Sequence, residues 1–287
     1  MLRRTLLALP MMMPPGATLR IGLVADIHHA ELDVRNNRYY RQALGRLRAA
    51  VAEFNSEGVD FAVEMGDLID EAPTVEGELA LAREAEAVFA QVKADRHYVL
   101  GNHCIWTLTK QEFLGAIGRT ESYYSFDRAG WHFVILDACF KEDETPYGRK
   151  NNDWRDTWIP KAELDWLAKD LAKTNLPTIV FAHQRLDVAT ELAVKNAADV
   201  RKLLETSGRV AAVFQGHHHE GGYSQLNGIH YLTLVSVIEE PDPAGGAHTI
   251  VDLRPDAIVV RGFRRQKSVE WPRAGKTGET PAGRRSG

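Results

Sequence analysis

The chain has 287 residues, 44% of them hydrophobic and 26% charged, with a formal net charge of -4. That balance is ordinary for a soluble globular protein and excludes a disordered or low-complexity chain; it offers no global positive field for a nucleic-acid polymer. Two cysteines, Cys104 and Cys139, are too few for a disulfide framework, and no run approaches the ~18 apolar residues of a membrane span.

In chain order, Arg3 and Arg4 precede a short apolar stretch, 5–13, followed by Pro14, Pro15 and Gly16. The apolar part is short and lacks a clean small-residue cleavage site. Residues 1–18 are therefore expected to be a leader outside the fold of a cytoplasmic protein, with a twin-arginine export signal as the alternative. The run 19–25 reads as a first strand. Residues 39–54 have helical spacing, with Ala43, Leu47, Ala50, Val51 and Phe54 on one face. A second strand over 61–65, an amphipathic helix over 76–93 and a third strand over 97–100 follow. The βαβαβ alternation implies an α/β fold with a parallel sheet covered by helices.

The pattern then changes. Segments 123–126 and 131–136 flank Asp127, Arg128, Ala129 and Gly130 as a hairpin. The polar stretch 141–156 reads as a long loop, of a length that is uncommon unless functional. A helix over 162–173, a strand over 178–181, a helical segment over 199–205 and strands over 210–214, 229–235, 249–252 and 257–260 complete the second half. One large domain, 19–264, is expected. Residues 265–287, rich in Gly, Pro, Lys, Arg and Ser, read as a disordered tail.

Five clusters of metal-ligand residue types follow these apolar runs: Asp26-Ile27-His28, Gly66-Asp67-Leu68-Ile69-Asp70, Gly101-Asn102-His103, Ala182-His183 and Gly216-His217-His218-His219. Each alone is weak, because a strand-end Asp is often a helix cap and a lone His is often a hydrogen-bonded core residue. Their shared context is what carries weight. In α/β sheets the carboxyl ends of strands collect the functional loops. Two Asp, one Asn and four His brought there suit two divalent ions bridged by a carboxylate and a water.

The blocks D-x-H, G-D-x-x-D, G-N-H, a lone strand-end His and G-H-x-H resemble those of the calcineurin-like metallophosphoesterases, over about 19–264. The resemblance implies a four-layer αββα sandwich with two mixed β-sheets and the metal site at the strand carboxyl ends. It also implies a ligand set: Asp26, His28 and His219 on one ion, Asn102, His183 and His217 on the other, and Asp67 bridging. Manganese, iron or zinc would suit these ligands. His103 would protonate the leaving oxygen and Asp70 would orient it. Cys104 stands where the family usually has Asp or Glu, and is expected to be a packed neighbour. His29 and His218 are expected outside the ligand set.

Asn37–Arg41, Gly216–Ser224 and Val237–Glu240 further resemble the manganese-dependent ADP-ribose/CDP-alcohol diphosphatase branch, although His28 stands where that branch often has Gln. The implied reaction is hydrolysis of a small nucleotide diphosphate compound by a metal-bridging hydroxide, with Arg38 and Arg41 as candidate substrate contacts. Alternatives are a class III cyclic-nucleotide phosphodiesterase, a glycerophosphodiesterase, a broad exported phosphatase, or a non-catalytic scaffold of the same fold.

Overall fold

The computed structural model describes residues 18–239, 242 and 245–273. The expected leader lies outside the described residues except for Thr18, and so do residues 274–287 of the expected tail.

The first half builds a sheet from β1 (Leu19–Val24), β2 (Phe61–Glu64) and β3 (Asp95–Tyr98). These three run parallel, as the βαβαβ alternation requires. Helix α1 (Ala43–Glu57) and helix α2 (Val75–Phe89) form the crossovers. Helix α1 starts after a short 3₁₀ turn at Tyr40–Gln42 and stops at Gly58, whose φ of 64° suits the left-handed C-cap. Helix α2 starts where the Thr74 hydroxyl accepts the Gly77 N–H. The third strand lies two residues earlier than its apolar residues suggest. It is an edge strand, so polar Asp95 and Arg96 join the ladder while facing solvent, and the pairing continues only as Val99 N–H donates to the Glu64 carbonyl. A seven-residue helix, α3 (Lys110–Ala116), has no counterpart in the sequence reading. A capping box between Thr109 and Glu112 sets its start.

The second half supplies β4 (Tyr124–Arg128), β5 (Trp131–Ile135), α4 (Lys161–Lys173), β6 (Thr178–Phe181), α5 (Ala197–Ser207), β7 (Val210–Gln215), β8 (Glu220–Leu226) and β9 (Ile229–Val235). Its sheet runs β4-β5-β6-β7-β9-β8. The strands β10 (His248–Leu253), β11 (Ala257–Phe263) and β12 (Val269–Pro272) return to the first sheet, whose order becomes β12-β11-β10-β1-β2-β3. Both sheets are mixed.

The tail expected from residue 265 needs correction. Residues 269–272 pair with β11 and bury Trp271 against the inter-sheet core, a gain that polar composition around them conceals. Strand β8 was also unread, because its side chains alternate between half-buried and exposed on a sheet edge.

Alternation along each strand divides the core into layers. Leu23, Val63, Phe133, Phe181 and Phe214 meet between the sheets. Val24 and Ala62 face the helices α1 and α2, while Val134, Val180 and Val213 face α4 and α5. The result is the four-layer αββα sandwich, with strands buried on both faces.

Candidate metal centre

The carboxyl ends of β1, β2, β3, β6 and β7 deliver the five clusters to one edge of the sandwich. The chain turns sharply there. Asp26, His28, Asp67 and His217 all have left-handed backbones, with φ of 55°, 48°, 56° and 69°. Such conformations cost a non-glycine residue about 1 kcal/mol or more and gather at functional sites. Their alignment is held by the loops themselves: Asp26 N–H donates to the Gly66 carbonyl at 3.1 Å and His28 N–H to the Asp67 carbonyl at 2.8 Å.

Two glycines make room for the cluster. A Cβ on Gly66, whose φ is 101°, would lie 2.3 Å from His183 Nδ1. A Cβ on Gly101 would lie 2.2 Å from both the Asp67 amide nitrogen and its Oδ1. Neither position admits a side chain.

The imidazoles are fixed from behind. The Nδ1 atoms of His28, His183 and His219 lie 2.9 Å from Asp70 Oδ2, 2.8 Å from the Met65 carbonyl and 2.8 Å from Glu239 Oε1. Each of these oxygens accepts an N–H, so each Nε2 faces inward, where its lone pair is open to a metal once the ring is neutral. Those lone pairs then meet other acceptors: His28 Nε2 lies 3.2 Å from His219 Nε2, and His183 Nε2 lies 3.1 Å from Asp67 Oδ2. Asp26 Oδ1 is 3.6 Å from His219 Nε2. Burial would lower the His183 pKa, but Asp67 prevails and raises it to about 9; a proton or a metal ion is what reconciles these facing atoms.

A second observation agrees. Asn102 Oδ1, His183 Nε2 and His217 Nε2 are buried without a hydrogen-bond partner. Buried polar atoms of this kind are rare unless a ligand satisfies them. Ligand atoms of Asp26, His28 and His219 converge within 4.8 Å, as do those of Asp67, His183 and His217. The donor set is Asp, Asn and imidazole, which fits divalent transition ions.

The electrostatics match. Burial, opposed by the Asp70 bond, lowers the His28 pKa to about 4, so the ring is neutral. Burial and then the charge of His183 hold His217 well below its ordinary value. Burial opposes charge on Asp67, yet His183 and His103 outweigh it and keep the carboxylate ionised. Behind the cluster burial pushes the Glu64 pKa well up.

His103 differs from the others. Its side chain is 30% exposed and its Nδ1 lies 3.3 Å from Asp70 Oδ1. Burial would lower its pKa, but Asp67 and Asp70 prevail and raise it. Asp70 thus serves two imidazoles, and its closer contact is with His28 rather than His103. It is no helix cap, since Thr74 caps α2.

The two expected substrate arginines part company. Arg38 stands at the rim, 28% exposed in its side chain and with Nη1 3.7 Å from Asp70 Oδ2. Arg41 lies in the 3₁₀ turn and points away, paired with Asp33 and Glu31 on the surface. Cys104 is fully buried, and its Sγ accepts the Leu68 N–H at 3.3 Å. Burial, followed by the charge of Glu64, raises its pKa well above the usual thiol value, so it packs as a neutral group. Both cysteines are free. His29 bonds Glu84 and His218 contacts Arg185, outside the ligand groups.

Sequence reasoning missed Glu239, which orients His219, and the loop residues Asn152 and Trp154 beside Asn102 and His103. The unusual length of the 141–156 loop was the available signal.

Among known proteins, the chain is similar to the manganese-dependent ADP-ribose/CDP-alcohol diphosphatase of Oryza sativa subsp. japonica, at 24% identity over 87% of this chain and 92% of that protein. The enzyme of the same name from Xenopus tropicalis is 26% identical, over 84% and 90%. A dimetal phosphatase from Danio rerio superposes with a TM-score of 0.77 at 22% identity, covering 88% of this chain and 98% of that one. No helix among the described residues is long and apolar enough to cross a membrane. The family model for calcineurin-like phosphoesterases matches residues 19–221, from the first strand through the last of the five clusters, and the chain belongs to that family of hydrolases.

Proposed function

We propose that the chain hydrolyses the pyrophosphate link of nucleoside diphosphate compounds of the ADP-ribose and CDP-alcohol type. The observation that carries its metal dependence is the inward set of Nε2 lone pairs facing one another and Asp67. Asp26, His28 and His219 would hold one divalent ion and Asn102, His183 and His217 the other, with Asp67 between the two groups. Manganese is the first choice, from the names of the relatives. The substrate class follows those same names, together with Arg38 at the rim.

When bound, the two ions supply positive charge to the phosphoryl oxygens and lower the pKa of a water at neutral pH. The chain supplies the rest. Asp67 Oδ1 accepts the His103 backbone N–H at 2.8 Å, which fixes the carboxylate so that Oδ2 faces both His28 and His183. The Arg38 guanidinium at the rim would bind the second phosphate, which a diphosphate has and a monoester lacks. His103 directs Nδ1 at Asp70, leaving Nε2 to hold the proton that the leaving oxygen takes. The raised pKa of His103 keeps that proton available near neutral pH.

The test is a substrate panel at equal manganese loading. ADP-ribose or CDP-choline is expected to show higher kcat/KM than 3′,5′-cyclic AMP or a phosphomonoester. A clear lead for either of the latter overturns the substrate assignment and leaves the family intact.

A further inference from the structure

The long loop between β5 and α4 does more than connect. Residues 152–155 fold back to the rim of the metal centre, where Asn152, Trp154 and Arg155 join Asn102, His103 and Trp106 around a cavity of about 380 Å³. That volume lies within the range of small-molecule sites, about 300–1,000 Å³. Asn102 and His103 belong to the centre itself, and the Trp154 ring lies 5.6 Å from that of His217. A group in this cavity is therefore continuous with the reacting phosphate.

The walls have a distinct chemistry. Two indoles line the cavity, and Trp154 is 38% exposed, one of three large hydrophobic side chains so exposed among the described residues. An exposed aromatic ring beside a polar catalytic rim is suited to a planar ligand rather than to the core. The ring is also held in place. Arg155 sits 5.6 Å over it, and Asp153 fixes that guanidinium through bonds of 2.9 Å to Nε and 2.8 Å to Nη2. Asn152 adds a polar side chain to the same wall. An amide can both donate to and accept from the edge of a heteroaromatic ring.

We propose that Trp154, Trp106 and Asn152 form a subsite for the base of a nucleotide, next to His103, which makes the enzyme select base-bearing phosphate compounds over base-free ones. The subsite rests on the diphosphatase reading above for its reaction, but not for its binding. A sugar or alkyl group would bury some apolar surface against the indoles but has no π-face, whereas every base presents one to stack.

The experiment compares manganese-loaded wild type, Trp154→Ala and Trp154→Phe. The first measurement is the ratio of kcat/KM for ADP-ribose to that for a base-free dialkyl diphosphate. Base stacking on one aromatic side chain is worth about 5- to 150-fold, so Trp154→Ala should lower the ratio by that factor, mainly through KM. Trp154→Phe should restore most of it. An unchanged ratio in Trp154→Ala overturns the subsite. The second measurement titrates AMP against ribose 5-phosphate by calorimetry. AMP should bind more tightly to wild type, and the preference should vanish in Trp154→Ala. Should neither diphosphate be hydrolysed, the diphosphatase reading fails, and this titration alone decides the subsite: equal binding of the two ligands to wild type removes it.

Discussion

Two buried regions of opposite character lie a few residues apart on the same strands. Leu23, Val63, Phe181 and Phe214 fill the space between the sheets, and Asp26, Asp67, His183 and His217 follow at the strand ends. The first region stabilises the fold by removing apolar surface from water, at about 25 cal/mol per Å². The second gathers carboxylates and lone pairs that are costly to bury without partners. It tolerates left-handed backbone at four positions and leaves three donor atoms unpartnered. One region holds the molecule together, and the other is held in place by it. Substitutions should therefore separate stability from turnover according to which region they enter.

The largest effect is expected at Asp67. Asp67→Ala should reduce hydrolysis of a nitrophenyl phosphodiester to background and lower the metal content below two ions per chain. Circular dichroism should stay near that of the wild type, while the Tm of the metal-free protein should fall, because the His103 N–H and the His183 ring lose the carboxylate they face. Near-normal turnover with both ions retained would sink the bridging role.

His103 tests the chemistry within the same region. Losing a general acid costs about 10²–10⁴-fold, and the loss should fall on substrates whose leaving oxygen is basic. His103→Ala should slow alkyl or nucleoside leaving groups by that factor while nitrophenolate release changes far less. Equal losses on both would assign His103 to phosphate positioning instead.

Phe133 probes the other region. It is fully buried, packed edge-on against Phe61 with centroids 5.0 Å apart and stacked on Phe126 at 5.1 Å. Phe133→Ala should cost about 3–5 kcal/mol in denaturant unfolding. Turnover per folded molecule should remain close to wild type. A large fall in kcat without loss of stability would break the division between the two regions.

The smallest effect concerns pH. His103 must be protonated to act, so activity on a basic leaving group falls as pH rises through its pKa. Burial lowers that pKa, while Asp67 and Asp70 raise it. Removing the Asp70 charge weakens the hold on the proton. Asp70→Asn should therefore move the alkaline limb of kcat/KM to lower pH. The limb for a nitrophenyl substrate should stay in place. If neither limb moves, Asp70 acts only through His28, its closer partner.

Much of the fold could be read along the chain because the signals are local. Apolar runs with β-branched residues marked β1, β2, β6, β7 and β9, and helical spacing marked α1, α2 and α4. The strand failures share one cause: elements whose burial depends on distant partners. Strand β12 became a strand because Trp271 reaches the core of a sheet begun some 250 residues earlier. Strand β8 and the early start of β3 are edge features, where polar residues join a ladder without leaving solvent. Likewise Arg38 and Arg41, three residues apart, look alike in sequence, and only the 3₁₀ turn that carries Arg41 sends it to surface carboxylates while Arg38 stays at the rim.

The sequence by itself determined the kind of chemistry available, because residue type sets ligand chemistry and strand-end position sets which residues can meet. Asp26, His28, Asp67, Asn102, His183, His217 and His219 were all singled out as candidate ligands on those grounds and on family resemblance. Tertiary structure alone decided how they are tuned. Glu239 sets the tautomer of His219, Asp70 divides itself between His28 and His103, and a carbonyl from β2's end fixes His183. It also brought Trp154 to His217 across more than sixty residues of chain. Hydrogen bonds and ring contacts reach only a few ångströms, so their partners are chosen by the packing of the sheets and not by proximity along the chain.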